Sequence, residues 1–566
     1  MSTADAKAST ASPNTASPRT ANPWLVLLVL CLGFFMIMLD TTIVNIAVPA
    51  MLDGLSASLD QIVWVVNSYL LAYAALLITG GRLGDRYGPR NLFAIGLVLF
   101  TLASVGCGLA QNSAQMITAR VIQGVGGALL TPQTLVIITM IFPKERRGAA
   151  LGVWGSIIGL STVAGPTVGG LLVNNASWRW IFFVNVPIGL IALIGTFRIV
   201  PDLRLGRSHG MDMVGVALVT AGLFALVYGL IEGQRYDWGT IAGPISIPLV
   251  LGVGVVLLVA FVLWERRPAE PLLPLSLFRH RNYSIMLWLQ TLIAFGMLGV
   301  FLPLVLVLQS VLGMSALRAG LTIAPLSVAA MVVAPLAGGL ADRFGAKYIL
   351  MAGTSLFALG IGLLVPVIEL DATVASFAIP MVVAGIGLGM CLAPLAAEAM
   401  REIPPLQAGA ASGMLNTTRQ IGGLIGTAVV GAVLQNRLAV AFTDQARERV
   451  AALPADVQQR FVDGFANANS SGFQVAPGQT GGAQLPSGLP ADVQAAVQQA
   501  AHDVFVNGFV AAARPSVLVP AAVVALATVS CVAIVPRRRA TDTAQPAEQP
   551  VAKRPAAEPT VAAGPA

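Results

Sequence analysis

Charged residues are scarce in this chain, since Asp, Glu, Lys and Arg together make up 10% of its 566 residues. A soluble domain needs more charge than this on its surface. Hydrophobic residues make up 56% of the chain, and its mean hydropathy is +0.80. The lack of charge therefore argues against a soluble fold and for burial in a membrane.

Cysteine and histidine are also rare. The four cysteines lie in or at the edge of apolar runs, and the three histidines lie far apart in predicted loops. This pattern excludes a disulfide framework and a metal site of ordinary ligand spacing. The Gly-x-x-x-x-Gly-Lys-Ser/Thr loop of ATP-driven pumps does not occur. We therefore predict no metal and no cofactor.

Long apolar runs are what the sequence has in abundance. About 20 apolar residues suffice for a helix to cross roughly 30 Å of hydrocarbon, and fourteen such runs are bounded by charge, Gly or Pro. We therefore predict an all-α membrane protein with fourteen transmembrane helices. The runs are 24–50, 62–81, 91–110, 114–140, 148–173, 180–200, 211–232, 241–264, 283–309, 318–340, 346–367, 374–400, 409–435 and 515–536.

Composition along the chain predicts its division into segments. The first apolar run is too long for the core of a signal peptide, so we expect it to remain as a helix. The segments are a disordered cytoplasmic terminus at 1–23, a six-helix bundle at 24–200, two inserted helices with linkers at 201–282, a second six-helix bundle at 283–536 that includes an extracytoplasmic loop at 437–513, and a disordered cytoplasmic tail at 537–566. In that loop we predict amphipathic helices on either side of a disordered centre at 470–489.

The net charge of +7 is compatible with nucleic-acid binding, but the distribution of Lys and Arg has a simpler explanation. Most of them fall in the loops and tails on one side of the predicted spans. By the positive-inside rule this predicts a multi-pass protein of the cytoplasmic (inner) membrane with both termini in the cytoplasm. We predict no nucleic-acid partner.

One sequence pattern occurs twice. Residues 81–90 read Gly-Arg-Leu-Gly-Asp-Arg-Tyr-Gly-Pro-Arg, and residues 338–347 read Gly-Gly-Leu-Ala-Asp-Arg-Phe-Gly-Ala-Lys. A second pair of similar segments, 148–152 and 409–413, has nearly the same separation. Such pairs predict two homologous halves of six helices with the substrate site between them near the middle of the membrane.

The repeated loops contain both fixed glycines and acids, which a purely topological role does not require. Glycine permits a tight turn, and each Asp suits the amino terminus of a helix. We predict that these residues form a conformational latch, in which the basic side chains pair across the bundle. The latch residues are Gly81, Asp85, Arg86, Gly88, Arg90, Asp342, Arg343, Gly345 and Lys347.

Asp40 and Arg120 lie inside predicted spans, the first and the fourth. A charge at the centre of the bilayer costs about 2.5–3.5 kcal/mol on insertion scales, so it is rarely left there without a role. We predict that Asp40 binds a proton or cation and faces the cavity, and that Arg120 is its permanently charged partner. The alternatives are a structural hydrogen bond for Asp40 and a structural tie between helices for Arg120.

Further polar and aromatic residues of the spans are candidates for lining a substrate cavity. Arg419 is a second intramembrane arginine, in the thirteenth span. The predicted cavity residues are Asn45, Gln123, Trp64, Tyr69, Asn416, Arg419 and Gln420.

The fifth span is rich in small residues. Small side chains on one face allow helix backbones to approach closely, and proline adds a bend. Ordinary helix packing accounts for part of this pattern, but the dense Gly-Pro cluster favours a special conformational interface. Its residues are Gly155, Gly159, Gly165, Pro166, Gly169 and Gly170.

These segments together resemble a known family. The repeated loops resemble motif A of the major facilitator superfamily, and residues 159–170 resemble motif C of its antiporters. Residues 40–49, residues 178–189 and the fourteen-span layout resemble the EmrB/QacA type of drug:proton antiporters. The resemblance implies two six-helix bundles with two inserted helices, proton coupling through Asp40 and Arg120, and secondary active export of hydrophobic drugs.

The chain departs from some of these relatives in one respect. Exporters of multivalent cations carry further acids in the tenth and thirteenth helices, whereas 318–340 and 409–435 contain none. The resemblance therefore favours neutral or monocationic substrates, with Glu398 as a weak second acid candidate. We expect the partners to be this substrate, protons and the lipid bilayer, and the protein to be a monomer.

Two other functions remain open from the sequence. The first is export of an endogenous lipid, a metabolite or a self-made antibiotic by the same fold. The second is a membrane sensor or structural subunit, which the sequence disfavours because it shows no soluble signalling domain.

Overall fold

The computed structural model describes residues 22–55, 57–203, 212–233, 235–268, 270–450 and 491–535, with scattered positions between 453 and 465. The predicted disordered segments at 470–489 and 537–566 lie outside these residues, as do residues 1–21 of the predicted disordered terminus at 1–23, whereas Pro23 begins the first helix. The helices are α1 (Pro23–Gly54), α2 (Leu59–Tyr87), α3 (Pro89–Leu109), α4 (Ser113–Ile141), α5 (Arg147–Asn175), α6 (Trp180–Phe183), α7 (Asn185–Ile199), α8 (Met213–Glu232), α9 (Ile247–Trp264), α10 (Arg281–Leu306), α11 (Ala316–Phe344), α12 (Ala346–Gly362), α13 (Leu364–Val367), α14 (Val374–Ala399), α15 (Ala408–Arg449) and α16 (Ala491–Ser530).

The apolar runs of the sequence form helices. Within the described residues, thirteen helical spans are long and apolar enough to cross a membrane. The short helices α6 and α13 continue neighbouring helices to complete two of these spans, Trp180–Ile199 and Ala346–Val367. The 29-residue helix α5 is an additional long helix and coincides with the predicted fifth span. Each of the fourteen predicted spans therefore corresponds to a helix.

One predicted span begins later in the structure than in the sequence. Residues 241–246 were included in the eighth span, but they belong to a small antiparallel hairpin of β1 (Thr240–Ala242) and β2 (Ile245–Ser246). Gly243 has a φ of 53° and is followed by Pro244, so the chain turns here. Ser246 then caps α9 by accepting a hydrogen bond from the backbone N–H of Leu249.

Two helices extend well beyond their predicted spans. α15 continues to Arg449, and α16 begins at Ala491, so the two flanks of the predicted outer loop are continuous with membrane helices. Their extensions pack through aromatic side chains, with the rings of Phe442 and Phe505 stacked at 5.9 Å. Arg449 and Asp503 form an ion pair across this hairpin at 2.5 Å.

The long helices pack as two groups. In the first, α1 packs on α5 and α7, and α4 packs on α2 and α3; in the second, α10 packs on α15 and α16, and α14 packs on α11 and α12. Glycines allow the close approaches, as where Gly96 of α3 faces the backbone of Gly126 in α4. The inserted helices α8 and α9 pack on each other, and α8 also contacts α2 and α15.

The two groups meet chiefly through the helix pairs α2 with α15 and α5 with α11, and also through α5 with α14 and α4 with α15. The contacts are closest where Gly81 meets the backbone of Gly409 and where Gly148 meets the backbone of Gly338. Both contacts lie at the end of the bundle that carries the repeated loops 81–90 and 338–347, which we call the loop end. The structure is therefore closed at the loop end.

Candidate functional site

A buried ion pair lies inside the first group of helices. Asp40 of α1 and Arg120 of α4 are 0% and 1% exposed, and the Nη1 of Arg120 lies 2.5 Å from the Oδ2 of Asp40. The sequence singled out both residues, and the structure brings them into contact. Because the charges are paired, neither is left uncompensated in an apolar environment.

Neutral side chains complete the hydrogen bonding of this carboxylate. The Nε2 of Gln123 donates to the Oδ1 of Asp40 at 2.8 Å, and the Nδ2 of Asn185 donates to the same oxygen at 3.2 Å. Both amides also donate to the hydroxyl of Ser104, at 2.7 and 3.2 Å. The buried network therefore ties α1, α3, α4 and α7 together around one carboxylate.

Arg120 is held from several directions. Its Nε donates to the carbonyl of Val65 at 3.1 Å, and its Nη1 donates to the Oε1 of Gln123 at 2.7 Å. Its guanidinium lies 4.2 Å from the centre of the Tyr69 ring, a cation–π contact. The guanidinium stays charged under all ordinary conditions, so the only member of the Asp40–Arg120 pair that can exchange a proton is the carboxyl.

The predicted cavity residues of the first half do not lie together in the structure. Gln123 and Tyr69 are 0% exposed and belong to the buried network. Trp64 is half-buried and packs against Tyr228 of the inserted helix α8, with ring centroids 5.8 Å apart. The side chain of Asn45 lies outside what the structure describes. The lining of a substrate cavity by these residues stays a prediction.

Sequence reasoning missed two members of the network, Ser104 and Asn185. Asn185 follows an aromatic run and precedes Pro187, and Ser104 lies within the third apolar span. A hydrogen-bonding side chain inside an apolar helix was the available signal, because such a group needs a partner in the bundle. The sequence could not reveal which partner, since that depends on how α3 and α7 pack against α1.

The aspartate of the first repeated loop contacts the opposite half. Asp85, near the end of α2, accepts hydrogen bonds from the backbone N–H groups of Gly409 at 2.8 Å and Ala410 at 3.1 Å. These residues open α15, so the carboxylate caps the amino terminus of a helix, where the helix dipole favours negative charge.

The aspartate of the second loop makes the same contact in reverse. Asp342, near the end of α11, accepts from the backbone N–H groups of Gly148 at 3.1 Å and Ala149 at 3.3 Å in the first turn of α5. The two repeats thus make two equivalent caps, one in each direction between the halves.

The basic residues of the loops behave otherwise than expected. Arg90 donates to the carbonyl of Phe197 at 3.0 Å, and Lys347 donates to the carbonyl of Val532 at 2.8 Å, each within its own half. Arg86 lies over the Tyr87 ring at 5.3 Å, and Arg343 is exposed. The expectation that Arg90 and Lys347 pair across the bundle is wrong for this conformation, because the acids instead bind the amino termini of helices.

The glycines of the two loops form the predicted tight turns. Gly88 and Gly345 both have a φ of 88°, as their tight turns require.

The glycines of α5 serve two different neighbours. Gly159 packs against the backbone of Ser327 in α11, and Gly155 contacts Leu392 of α14, both in the second half. Gly165 and Gly169 instead contact Thr42 and Ile43 of α1. Gly170 has open space beside it, and the side chain of Pro166 lies outside the described residues. α5 thus lies between the helix that bears Asp40 and the opposite half.

Three predicted residues of the second half lie on α15. Asn416 is 3% exposed and donates within its own helix to the carbonyl of Ser412 at 2.9 Å. Arg419 and Gln420 are half-buried. Glu398, the weaker acid candidate, is 8% exposed and accepts from Asn282 at 2.8 Å and Arg401 at 3.2 Å.

Comparison with known proteins shows which family has this architecture. A sequence model of the Major Facilitator Superfamily matches residues 30–427. The tetracenomycin C resistance and export protein of Streptomyces glaucescens is 36% identical over 424 residues, which cover 75% of this chain and 78% of that protein. The multidrug resistance protein Stp of Mycobacterium tuberculosis is 37% identical over 404 residues, 71% of this chain and 74% of that protein.

A solved structure has the same fold. The proton:xylose symporter XylE, bound to 6-bromo-6-deoxy-D-glucose, aligns with a TM-score of 0.52 at 18% identity, covering 72% of this chain and 87% of its own. The family match spans most of the chain, and the paired halves carry the repeated loops that the sequence predicted. The chain therefore belongs to the major facilitator superfamily of multi-pass membrane transporters.

Proposed function

We propose that this transporter is a proton-coupled antiporter that exports hydrophobic drugs or antibiotics from the cytoplasm by alternating access. The observation that carries the proposal is the fully buried Asp40–Arg120 pair, because a carboxyl held against a permanent cation is a proton site whose occupancy changes the packing around it. Relatives named for multidrug resistance and for tetracenomycin C resistance and export support the substrate class.

Protonation of Asp40 changes the contact between α1 and α4. Once neutral, the carboxyl no longer compensates Arg120, which keeps Val65, Gln123 and Tyr69 as partners. The attraction that holds α1 against α4 is then weaker. Because both residues are fully buried in this conformation, proton entry requires these helices to move, which links proton exchange to the conformational change.

A continuous set of contacts leads from Asp40 to the interface between the halves. Two residues after Asp40, the hydroxyl of Thr42 donates to the carbonyl of Ser161 in α5 at 3.2 Å. Gly165 and Gly169 bring α5 against the same part of α1. The first turn of α5 is capped by Asp342 of the opposite half. A shift of α1 is therefore transmitted to the closing contact through one rigid helix.

The loop end is the cytoplasmic end in this proposal, in line with the positive-inside rule. With the Asp85 and Asp342 caps in place, this conformation blocks the cytoplasmic exit. Proton uptake from outside displaces the substrate, and proton release inside resets the cycle. One proton crossing 100 mV supplies about 2.3 kcal/mol, which sustains roughly a 50-fold substrate gradient.

Dye efflux in everted membrane vesicles tests the proposal. A panel of hydrophobic dyes is followed with and without an uncoupler, in the wild type and in Asp40→Asn. We expect transport of at least one dye into the vesicle lumen, loss of that transport on uncoupling and loss of it in the variant. Transport that survives the uncoupler unchanged contradicts the antiport mechanism for every dye that shows it.

A second function is favoured by the relative that is named for tetracenomycin C resistance and export. The chain would then export a compound that its own cell makes. Deletion of the protein from its host separates the two functions: retention of an endogenous product in the cells favours this one, and increased sensitivity to added drugs alone favours the first.

A further inference from the structure

Two arginines lie at mid-membrane positions of the transporter, and they differ in one respect. Arg120 is 1% exposed and has Asp40 as its counter-ion. Arg419 of α15 is half-buried, its Nε is shielded from solvent without a hydrogen-bond partner, and it forms no ion pair within the described part of the chain. Within the described residues, one intramembrane guanidinium therefore has a counter-ion and the other has none.

The position of Arg419 along α15 places it deep in the bilayer. It lies ten residues into the predicted span 409–435, which is about 15 Å along the helix axis at 1.5 Å per residue. This is about half the thickness of the hydrocarbon core. The guanidinium therefore lies too far from either membrane surface to be treated as an interfacial anchor.

Contacts of the same helix show which way Arg419 faces. Ser412, seven residues earlier and hence on nearly the same helix face, donates from its hydroxyl to the carbonyl of Pro132 in α4 at 2.8 Å. Next to it, Gly413 packs against Leu77 of α2. Gly423, four residues after Arg419 and on nearly the same face, packs against Leu298 of α10. The Arg419 face of α15 thus lies between α4 of the first half and α10 of its own half, about 10 Å beyond the contact that closes the loop end.

The deep carboxylates of the described helices are already engaged elsewhere. Asp40 is paired with Arg120, Asp85 and Asp342 cap helices at the loop end, and Glu398 bonds Asn282 and Arg401. None of them contacts Arg419. A permanent positive charge between α4 and α10, with its Nε unpartnered and no anion from the described residues beside it, repels cations and attracts anions.

We propose that Arg419 is the charge-selecting residue of the substrate site and that the transporter prefers amphipathic organic monoanions, carrying a phenolate or carboxylate on an apolar ring system. This inference rests on the proposed export function and specifies its substrate. It revises the expectation of neutral or monocationic substrates, which considered only the lack of acids in the tenth and thirteenth spans. Exchange of one such anion outward for one proton inward moves two elementary charges per cycle. The membrane potential therefore drives both the exit of the anion and the entry of the proton.

Binding of two matched dyes to the purified, detergent-solubilised protein tests the inference without any proton gradient. Rhodamine 123 is a cationic xanthene methyl ester, and fluorescein methyl ester above neutral pH is its anionic counterpart of nearly the same shape. Affinities are measured by fluorescence anisotropy for the wild type, Arg419→Gln and Arg419→Lys, with Arg437→Gln, at an exposed arginine of the same helix, as the control.

We expect the wild type to bind fluorescein methyl ester more tightly than rhodamine 123. Arg419→Gln should weaken anion binding by about tenfold or more, because a charge-assisted hydrogen bond is lost, and should leave rhodamine 123 binding equal or stronger. Arg419→Lys keeps the charge and should retain part of the preference, and Arg437→Gln should retain it in full. Monodisperse elution of each variant shows that it is folded.

Three results overturn the inference: preference of the wild type for rhodamine 123, no saturable binding of the anionic dye, or an unchanged affinity ratio in folded Arg419→Gln. Failure of the proposed export function looks different. In that case the binding preference persists, but neither dye moves in energised vesicles and no protons move with it.

Discussion

Asp40 and Arg120 show what a single pair of residues contributes at the scale of side chains. Each lies in an apolar run, so the sequence alone could single them out as charges that need a partner. Their contact, and the amides of Gln123 and Asn185 that complete it, depend on the packing of four helices. The sequence thus singled out the two charges, and Gln123 as a cavity residue, but not Asn185 and Ser104, because an isolated Asn or Ser in a helix has many possible partners.

The pair should behave as a unit when it is mutated. Asp40→Asn leaves Arg120 buried without a counter-ion, and Arg120→Gln leaves Asp40 in the same state, so each single variant should lose about 3–5 kcal/mol of stability. The double variant removes both charges and should lose less than the sum of the single variants. Thermal unfolding of the four proteins in detergent measures this cycle. Additive losses would contradict the direct ion pair.

Glu265 provides a second test at this scale, outside the membrane spans. It follows α9, is 3% exposed and accepts from the backbone N–H of Leu273 at 3.1 Å. Burial raises its pKa to about 7, with a further increase from Asp212 and partial compensation by Arg82. The folded protein therefore binds more protons than the unfolded chain between about pH 4.5 and pH 7.

The stability that this proton contributes is present at low pH and is lost as pH rises through about 7. We expect the midpoint of thermal unfolding to be lower at about pH 8 than at about pH 6, and this difference to shrink in Glu265→Gln. Glu145→Gln changes an exposed glutamate and is the control. An identical pH dependence in the wild type and Glu265→Gln would show that Glu265 does not carry it.

At the scale of helices, α5 and α11 show how backbone contact closes the loop end. Gly338 of α11 faces the backbone of Gly148, and a Cβ at this position would collide with that carbonyl, whereas a Cβ at the adjacent Gly339 would meet nothing. The sequence predicted the glycine-rich segments and the helix-capping aspartates. It could not predict that the caps, not the basic side chains, cross between the halves, because α2 and α11 had first to be placed beside α15 and α5.

Alanine substitution at Gly338 and at Gly339 distinguishes the effect of the contact between α5 and α11 from the effect of helix propensity. Either substitution favours the helix by about 1 kcal/mol, but Gly338→Ala also forces α5 and α11 apart, so only this variant should open the loop end. The measurement is maleimide labelling of Ser412→Cys, a position that is 0% exposed in the closed form. We expect faster labelling with Gly338→Ala and no change with Gly339→Ala. Equal rates in both would contradict the contact.

The extensions of α15 and α16 show most clearly what the sequence could not predict about the helices. The sequence indicated amphipathic helices on both flanks of 437–513, but the predicted spans beside them ended at 435 and began at 515. Phe442 and Phe505 explain the continuity, since their stacked rings give the protruding hairpin its own apolar contact. Periodicity identifies such helices, whereas their continuity with a membrane span depends on tertiary packing.

At the scale of the whole molecule, two related halves are joined at the loop end by two equivalent caps. The repeated loops predicted this duplication, and the matching residues Asp85 and Asp342 bind α15 and α5 in the same way. The proposed proton site lies within one half, and α5 contacts both the helix that bears it and the other half. The central claim is that protonation of Asp40 drives movement of these halves against each other.

Proton movement in proteoliposomes tests this claim most directly. Purified protein is reconstituted with a pH-sensitive dye inside, and a gradient of the substrate that everted vesicles transport best is imposed without any pH gradient. In the wild type and in Glu145→Gln, the account predicts that protons move in the direction opposite to the substrate; in Asp40→Asn they should not. Substrate movement without protons in the wild type, or undiminished proton movement in Asp40→Asn, would contradict it.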